Sequence, residues 1–113
     1  MIALENYFDE LPSALTLSDI NGKILYMNKK AIETFQKYGG KDLVGKSLYD
    51  CHKESSNQKM HEMLATGEGN IYTIEKDGVK KLIYQIPWKK DGVTMGLMEI
   101  SIVLPDNMPH FVR

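Results

Sequence analysis

Three glycine turns dictate the plan of this chain. Asn21-Gly22 separates two apolar runs, Ala14–Ile20 and Lys23–Asn28, and Asp77-Gly78 and Asp91-Gly92 divide three later runs. Asn-Gly and Asp-Gly favour the two-residue hairpin turn, whose central residues both need positive φ. The sequence therefore predicts one hairpin near the start and three strands at the end. Between them the apolar period changes. Ala31, Ile32, Phe35 and Tyr38 form a helical stripe, with Asn28 placed to cap it and Gly39-Gly40 to stop it. After the broken stretch 41–52, Ser55-Ser56-Asn57-Gln58 opens a second helix, with Ser55 and Gln58 spaced as a capping box. Its stripe is Met60, Met63 and Leu64, and Gly67 ends it. A short amphipathic segment precedes everything, with Ile2, Leu4, Tyr7, Phe8 and Leu11 on one face. The expected fold class is α+β: a five-stranded antiparallel sheet with helices on one face and a short N-terminal amphipathic helix.

A chain of 113 residues is one domain. The expected divisions are an amphipathic cap over 1–11, the domain proper over 12–104 and a tail over 105–113. Fourteen basic against fifteen acidic residues remove any electrostatic case for a nucleic-acid partner. No apolar run approaches the roughly 20 residues that span a bilayer, and the acidic N-terminus does not read as a signal peptide. The single cysteine, Cys51, has no internal disulfide partner, which fits a reducing, cytoplasmic setting without a membrane partner.

The late strands are apolar on both faces. Leu82, Tyr84, Ile86 and Trp88 share one parity of a run whose other parity holds Ile83, Gln85 and Pro87. A half-solvated sheet alternates apolar with polar, so both faces here call for cover. The helices cover one face. The second cover is the N-terminal segment, a partner chain, or both.

The stretch Asp19-Ile-Asn-Gly-Lys-Ile-Leu-Tyr-Met-Asn28 resembles the opening hairpin of PAS sensor domains (the sensory-box family). Phe35 sits where the family's first helix turns inward. Asp42-Leu43-Val44-Gly45-Lys46-Ser47 resembles its acid-leucine-isoleucine-glycine-basic segment, and Cys51-His52 falls where many members have a histidine. Lys76-Asp77-Gly78, Gly92 and Gly96 match its later hairpins. The similarity covers residues 12 to 104. It implies a sensor or regulatory module of bacterial-type signal transduction that binds a small ligand or partner and acts through homodimerisation. The alternatives are a ligand-free dimerisation module and a haem-based gas or redox sensor; no cofactor can be named. A flavin-cysteine adduct is excluded, because Ser47-Leu48 stands where such members carry their cysteine.

The resemblance places a pocket between the helices and the inner sheet face. It assigns Ile71, Thr73, Ile83, Gln85, Gly96, Met98 and Ile100 to that face, with Thr73 and Gln85 as polar anchors, or as partners of helix backbone. The pocket candidates are Ile32, Phe35, Met60, Thr73, Ile83, Gln85, Met98 and His52. His52 contacts a ligand at the rim or bonds local backbone, and Cys51 reads as a small buried hydrophobe. His61, in the second helix, reads as solvated or as a haem ligand. The same parity sends Tyr72, Ile74, Tyr84, Ile86, Trp88, Met95 and Leu97 outward. With Tyr7 and Phe8, the dimer candidates are Tyr84, Ile86, Trp88, Met95 and Leu97, since aromatics and methionine are enriched at interfaces. No nucleophile-base-acid set, metal-ligand grouping or phosphate loop is visible, so no enzyme activity and no metal are expected.

Overall fold

A computed structural model describes residues 3–50 and 52–113. Ile2 and Cys51, and the expectations placed on them, lie outside the described residues. Strands β1 (Ala14–Ser18) and β2 (Ile24–Met27) come first, then helix α1 (Lys29–Thr34) and helix α2 (Glu54–Thr66). Strands β3 (Asn70–Lys76), β4 (Val79–Lys90) and β5 (Val93–Val103) follow. The sheet order is β2-β1-β5-β4-β3, antiparallel throughout. The order of elements is the one the turns and stripes predict.

Two of the three hairpin turns take the expected form. Asp77 and Gly78, like Asp91 and Gly92, all have positive φ. Asn21-Gly22 does not, for only Gly22 has positive φ there. Ser18 pairs with Ile24, so the connection is a longer loop. Asp19 organises it: its Oδ1 accepts from the backbone N–H of Asn21 and of Lys23, both at 2.9 Å. The aspartate side chain supplies what the tight turn would have supplied through backbone.

Helix α1 is capped as expected. Asn28 is fully buried, and its Oδ1 accepts from the Ala31 N–H at 3.0 Å and from the Leu15 N–H at 3.0 Å. Its Nδ2 donates to the carbonyls of Phe8 and Ser13. One side chain thus ties the helix, the first strand and the N-terminal segment. After α1 the chain continues in single 3-10 turns, Gln36–Tyr38, Gly40–Leu43 and Leu48–Asp50. The capping box on α2 is a correction. The helix starts at Glu54, its N-cap is Lys53, and no side chain caps it. Asn57 instead donates through Nδ2 to the Tyr49 carbonyl at 3.0 Å, fixing the entry loop. The N-terminal segment is a four-residue 3-10 helix, Leu4–Tyr7, rather than an amphipathic α-helix. So few residues do not sustain an α-helix unaided, and here they are held by Asn28 and Tyr26.

The core lies on the helix side of the sheet. Ala14, Ile24, Met27, Ala31 and Leu43 pack together under α1, and Met60, Met63 and Leu97 under α2. Burying each large side chain contributes about 1.5–3 kcal/mol. A β-bulge sits near the start of β5. Lys89 pairs with Thr94, but Trp88 pairs with Gly96, so Met95 is the extra residue.

Candidate functional site: the inner chamber

That bulge decides which side chains see the helices. In a two-residue hairpin closed by Lys90 and Val93, Gln85 would face Met98. With Met95 bulged, Gln85 faces Glu99 instead, and Ile83 faces Ser101. A one-residue slip moves every later side chain to the other face. In the β3–β4 hairpin, Asn70 lies opposite Gln85 and Tyr72 opposite Ile83. On β1, Thr16 lies opposite Glu99. The inner face therefore carries one polar row, Asn70, Gln85, Glu99 and Thr16, crossing four adjacent strands.

Three members of the row are joined by hydrogen bonds. Asn70 Nδ2 donates to Gln85 Oε1 at 3.0 Å, and Gln85 Nε2 donates to Glu99 Oε1 at 3.1 Å and to the Tyr72 hydroxyl at 3.4 Å. Desolvation, then the charge of Glu99, holds the Tyr72 hydroxyl above its ordinary pKa. Above the row the helices leave space. A cavity of about 410 Å³ lies between the α1 end (Phe35, Tyr38), α2 (Ser56, Met60) and the inner face (Tyr72, Ile83, Gln85, Glu99). Adjoining cavities of about 200 Å³ and 30 Å³ also have His52 and Glu99 in their walls. His52 Nδ1 lies 2.7 Å from the Leu48 carbonyl, so the ring is held by the loop before α2.

Of the pocket candidates, Phe35, Met60, Ile83, Gln85 and His52 line this cavity. Ile32 packs instead against the core beneath α1. Thr73 and Met98 are corrections. Thr73 pairs with Leu82, and Met98 with Ile86 and Leu17, so both belong to the outer face, although Met98 also borders the 30 Å³ cavity. Ile71, Gly96 and Ile100 move outward with them, while Tyr72 and Ile74 turn inward and line the cavity. Leu97 is also a correction: it is buried against Met60 and Met63 and has no outer surface to offer. Met95 occupies the bulge. Sequence reasoning missed Glu99, Asn70, Tyr72 and Thr16. The β3 residues were recoverable, because a two-residue turn at Asp77-Gly78 fixes Asn70 opposite Gln85.

His61 stays on the solvent side of α2. Its ring stacks on Tyr49, centroids 4.4 Å apart and planes 10° from parallel. Burial raises the Tyr49 hydroxyl's pKa. Among the described residues no group of three or more His, Cys, Asp or Glu could hold a metal ion, and no helix is long and apolar enough to cross a membrane.

The outer face bears an apolar groove of about 650 Å³, walled by Leu4, Phe8 and Leu11 and floored by Leu15, Leu17, Met98 and Ile100. Trp88 closes one end. Tyr84 and Ile86 continue the surface, and Ile71, directly across from Tyr84, is 56% exposed. Tyr7 and Phe8 are exposed on the N-terminal segment.

Comparison with known proteins gives a consistent picture. A family model described as a PAS domain matches residues 12–102. No curated protein matches the sequence. Solved structures do. The Aer2 receptor of Vibrio cholerae, described as a dual PAS-heme oxygen sensor, superposes with a TM-score of 0.62 at 17% identity, covering 82% of this chain and 95% of that one. The PAS domain of an HTR-like protein from Haloarcula marismortui gives 0.61 at 16% identity, covering 89% and 88%. VqmA of Vibrio cholerae, solved as a ligand–DNA complex and elsewhere described as a dimer, gives 0.69 at 20% identity. That match covers 94% of this chain but 53% of VqmA, so the chain spans about half of that protein's length.

Proposed function

Because the chain belongs to the PAS domain family, we propose that it is a sensory module that takes a small molecule into the inner chamber and works as a homodimer through its outer face. The module is proposed to be non-enzymatic, to act in bacterial-type signal transduction and to work in the cytoplasm. One observation carries the ligand reading: a hydrogen-bonded row that includes a half-buried carboxylate crosses the floor of a cavity of about 410 Å³ whose apolar wall is made by Phe35, Met60, Ile74 and Ile83. Small-molecule sites combine apolar walls with a few fixed polar groups in this way. The outer groove supports the dimer reading, since a monomer rarely leaves a large contiguous apolar surface in water.

The test is native mass spectrometry of chain purified without denaturant, joined to NMR titration with a set of small neutral fragments. Retained mass, or shifts focused on Phe35, Met60 and Ile83, supports a ligand chamber. A chain that carries nothing and responds to no fragment is a ligand-free interaction module instead.

A further inference from the structure

Resting on the reading of the chamber as a ligand site, we propose that it selects small molecules presenting an N–H donor, neutral or cationic, to Glu99, and turns away anions such as small carboxylic acids. A carboxylate can only accept hydrogen bonds. Gln85, directly opposite, must therefore turn its NH2 toward Glu99, which leaves its carbonyl oxygen for Asn70. The ladder is polarised in one direction and ends on an acceptor. Among the described residues, the Gln85 contact is the one hydrogen bond that the Glu99 carboxylate receives, although it has about four lone-pair sites.

His52 adds an acceptor to the same chamber. The Leu48 carbonyl can only accept, so Nδ1 carries the proton, and in the neutral ring Nε2 is left as an acceptor. The Tyr72 hydroxyl, having accepted from Gln85, keeps its own proton for a ligand carbonyl or ring nitrogen. The cavity's lysines do not reverse this preference. Lys59 is exposed and lies 3.6 Å from Glu62, and Lys76 is exposed at the end of β3. Lys81 also lines the cavity, from the same face of β4 as Gln85 but roughly 13 Å along the strand from it at about 3.3 Å per residue. Glu99 is the one acid among the residues that line the cavity, and the one charged member of the polar row.

The test uses the whole 15N-labelled chain and three probes of near-identical shape: benzamidine, benzamide and benzoate. Amide shifts of inner-face residues should rank benzamidine first, benzamide second and benzoate last, with at least tenfold between the extremes. Glu99→Gln keeps an acceptor for Gln85 and should narrow that gap to under threefold. Benzoate binding as tightly as benzamidine overturns the donor rule and leaves the chamber a ligand site. No inner-face shift with any probe overturns the ligand-site reading, and the donor rule with it. The wild-type ranking decides the matter alone if Glu99→Gln does not fold.

Discussion

The indole Nε1 of Trp88 donates to the backbone carbonyl of Ser18 at 2.8 Å, reaching from β4 across β5 to β1. The strand between them contributes Gly96 at the crossing point. A Cβ built there would stand 1.9 Å from the Ser18 oxygen and 2.5 Å from Trp88 Nε1. Gly96 is thus set by close approach rather than by an unusual φ. Gly96→Ala should cost about 3 kcal/mol, because backbone cannot retreat as a flexible side chain can. Trp88→Phe should cost about 1–3 kcal/mol by leaving the Ser18 carbonyl without its donor. Urea unfolding checks both, and the chain's single tryptophan provides the fluorescence signal for Gly96→Ala.

Asn28 makes four hydrogen bonds from a fully buried side chain. Asn28→Ala should cost at least about 3 kcal/mol, since buried backbone groups lose their partners. Asn28→Asp keeps both acceptor bonds but cannot donate to Phe8 and Ser13. Hydrogen exchange should then quicken over residues 5–9 with α1 still protected. Unchanged exchange there would show that the N-terminal segment is held some other way.

Tyr26 is the outlying titration. Desolvation, its hydrogen bond to Asp9 and the charges of Asp9 and Glu5 push its hydroxyl up to about 12. The folded state therefore holds a proton that the unfolded state releases near pH 10. Stability from this group is fully present below pH 10 and is lost between pH 10 and about 12. Tyr26→Phe should flatten the fall in unfolding midpoint over that range. An equally steep fall in the variant would remove Tyr26 as its source.

If the outer face joins two copies, charge placed there should separate them without unfolding either. Ile71 and Tyr84 are cross-strand neighbours, both exposed, and neither belongs to the buried core. Tyr84→Glu and Ile71→Glu should each shift sedimentation toward monomer, with stability changed by about 0.5 kcal/mol or less. A wild-type chain that sediments as monomer at high concentration ends the dimer reading.

Much of the architecture was written in local signals. Asp77-Gly78 and Asp91-Gly92 announced their hairpins, and Asn28 announced its cap, because these residues act on backbone a few positions away. The faces of β3 and β5 were less legible for two different reasons. For β3, register follows by arithmetic from the turn at Asp77-Gly78, and the family resemblance points to the opposite parity. For β5, nothing local marks Met95 as a bulge; it adjoins the place where Trp88, Gly96 and Ser18 meet across three strands. Glu99 was invisible as a site residue for the same reason, since a carboxylate in the run MEIS reads as a solvent-facing strand position. The loop at Asp19 is a smaller case, in which a side chain outcompeted the turn preference of Asn-Gly.

The unpaired residue at position 95 gives this fold a cheap route to new specificity. Were Met95 drawn into the ladder as a paired residue, Met98 would stand opposite Gln85 and Glu99 would turn to the other face, exchanging a charged chamber floor for a greasy one with every residue unchanged. The lining of the chamber therefore depends on the register of one strand as much as on residue identity, and a position-by-position comparison of lining residues would miss a change in that register.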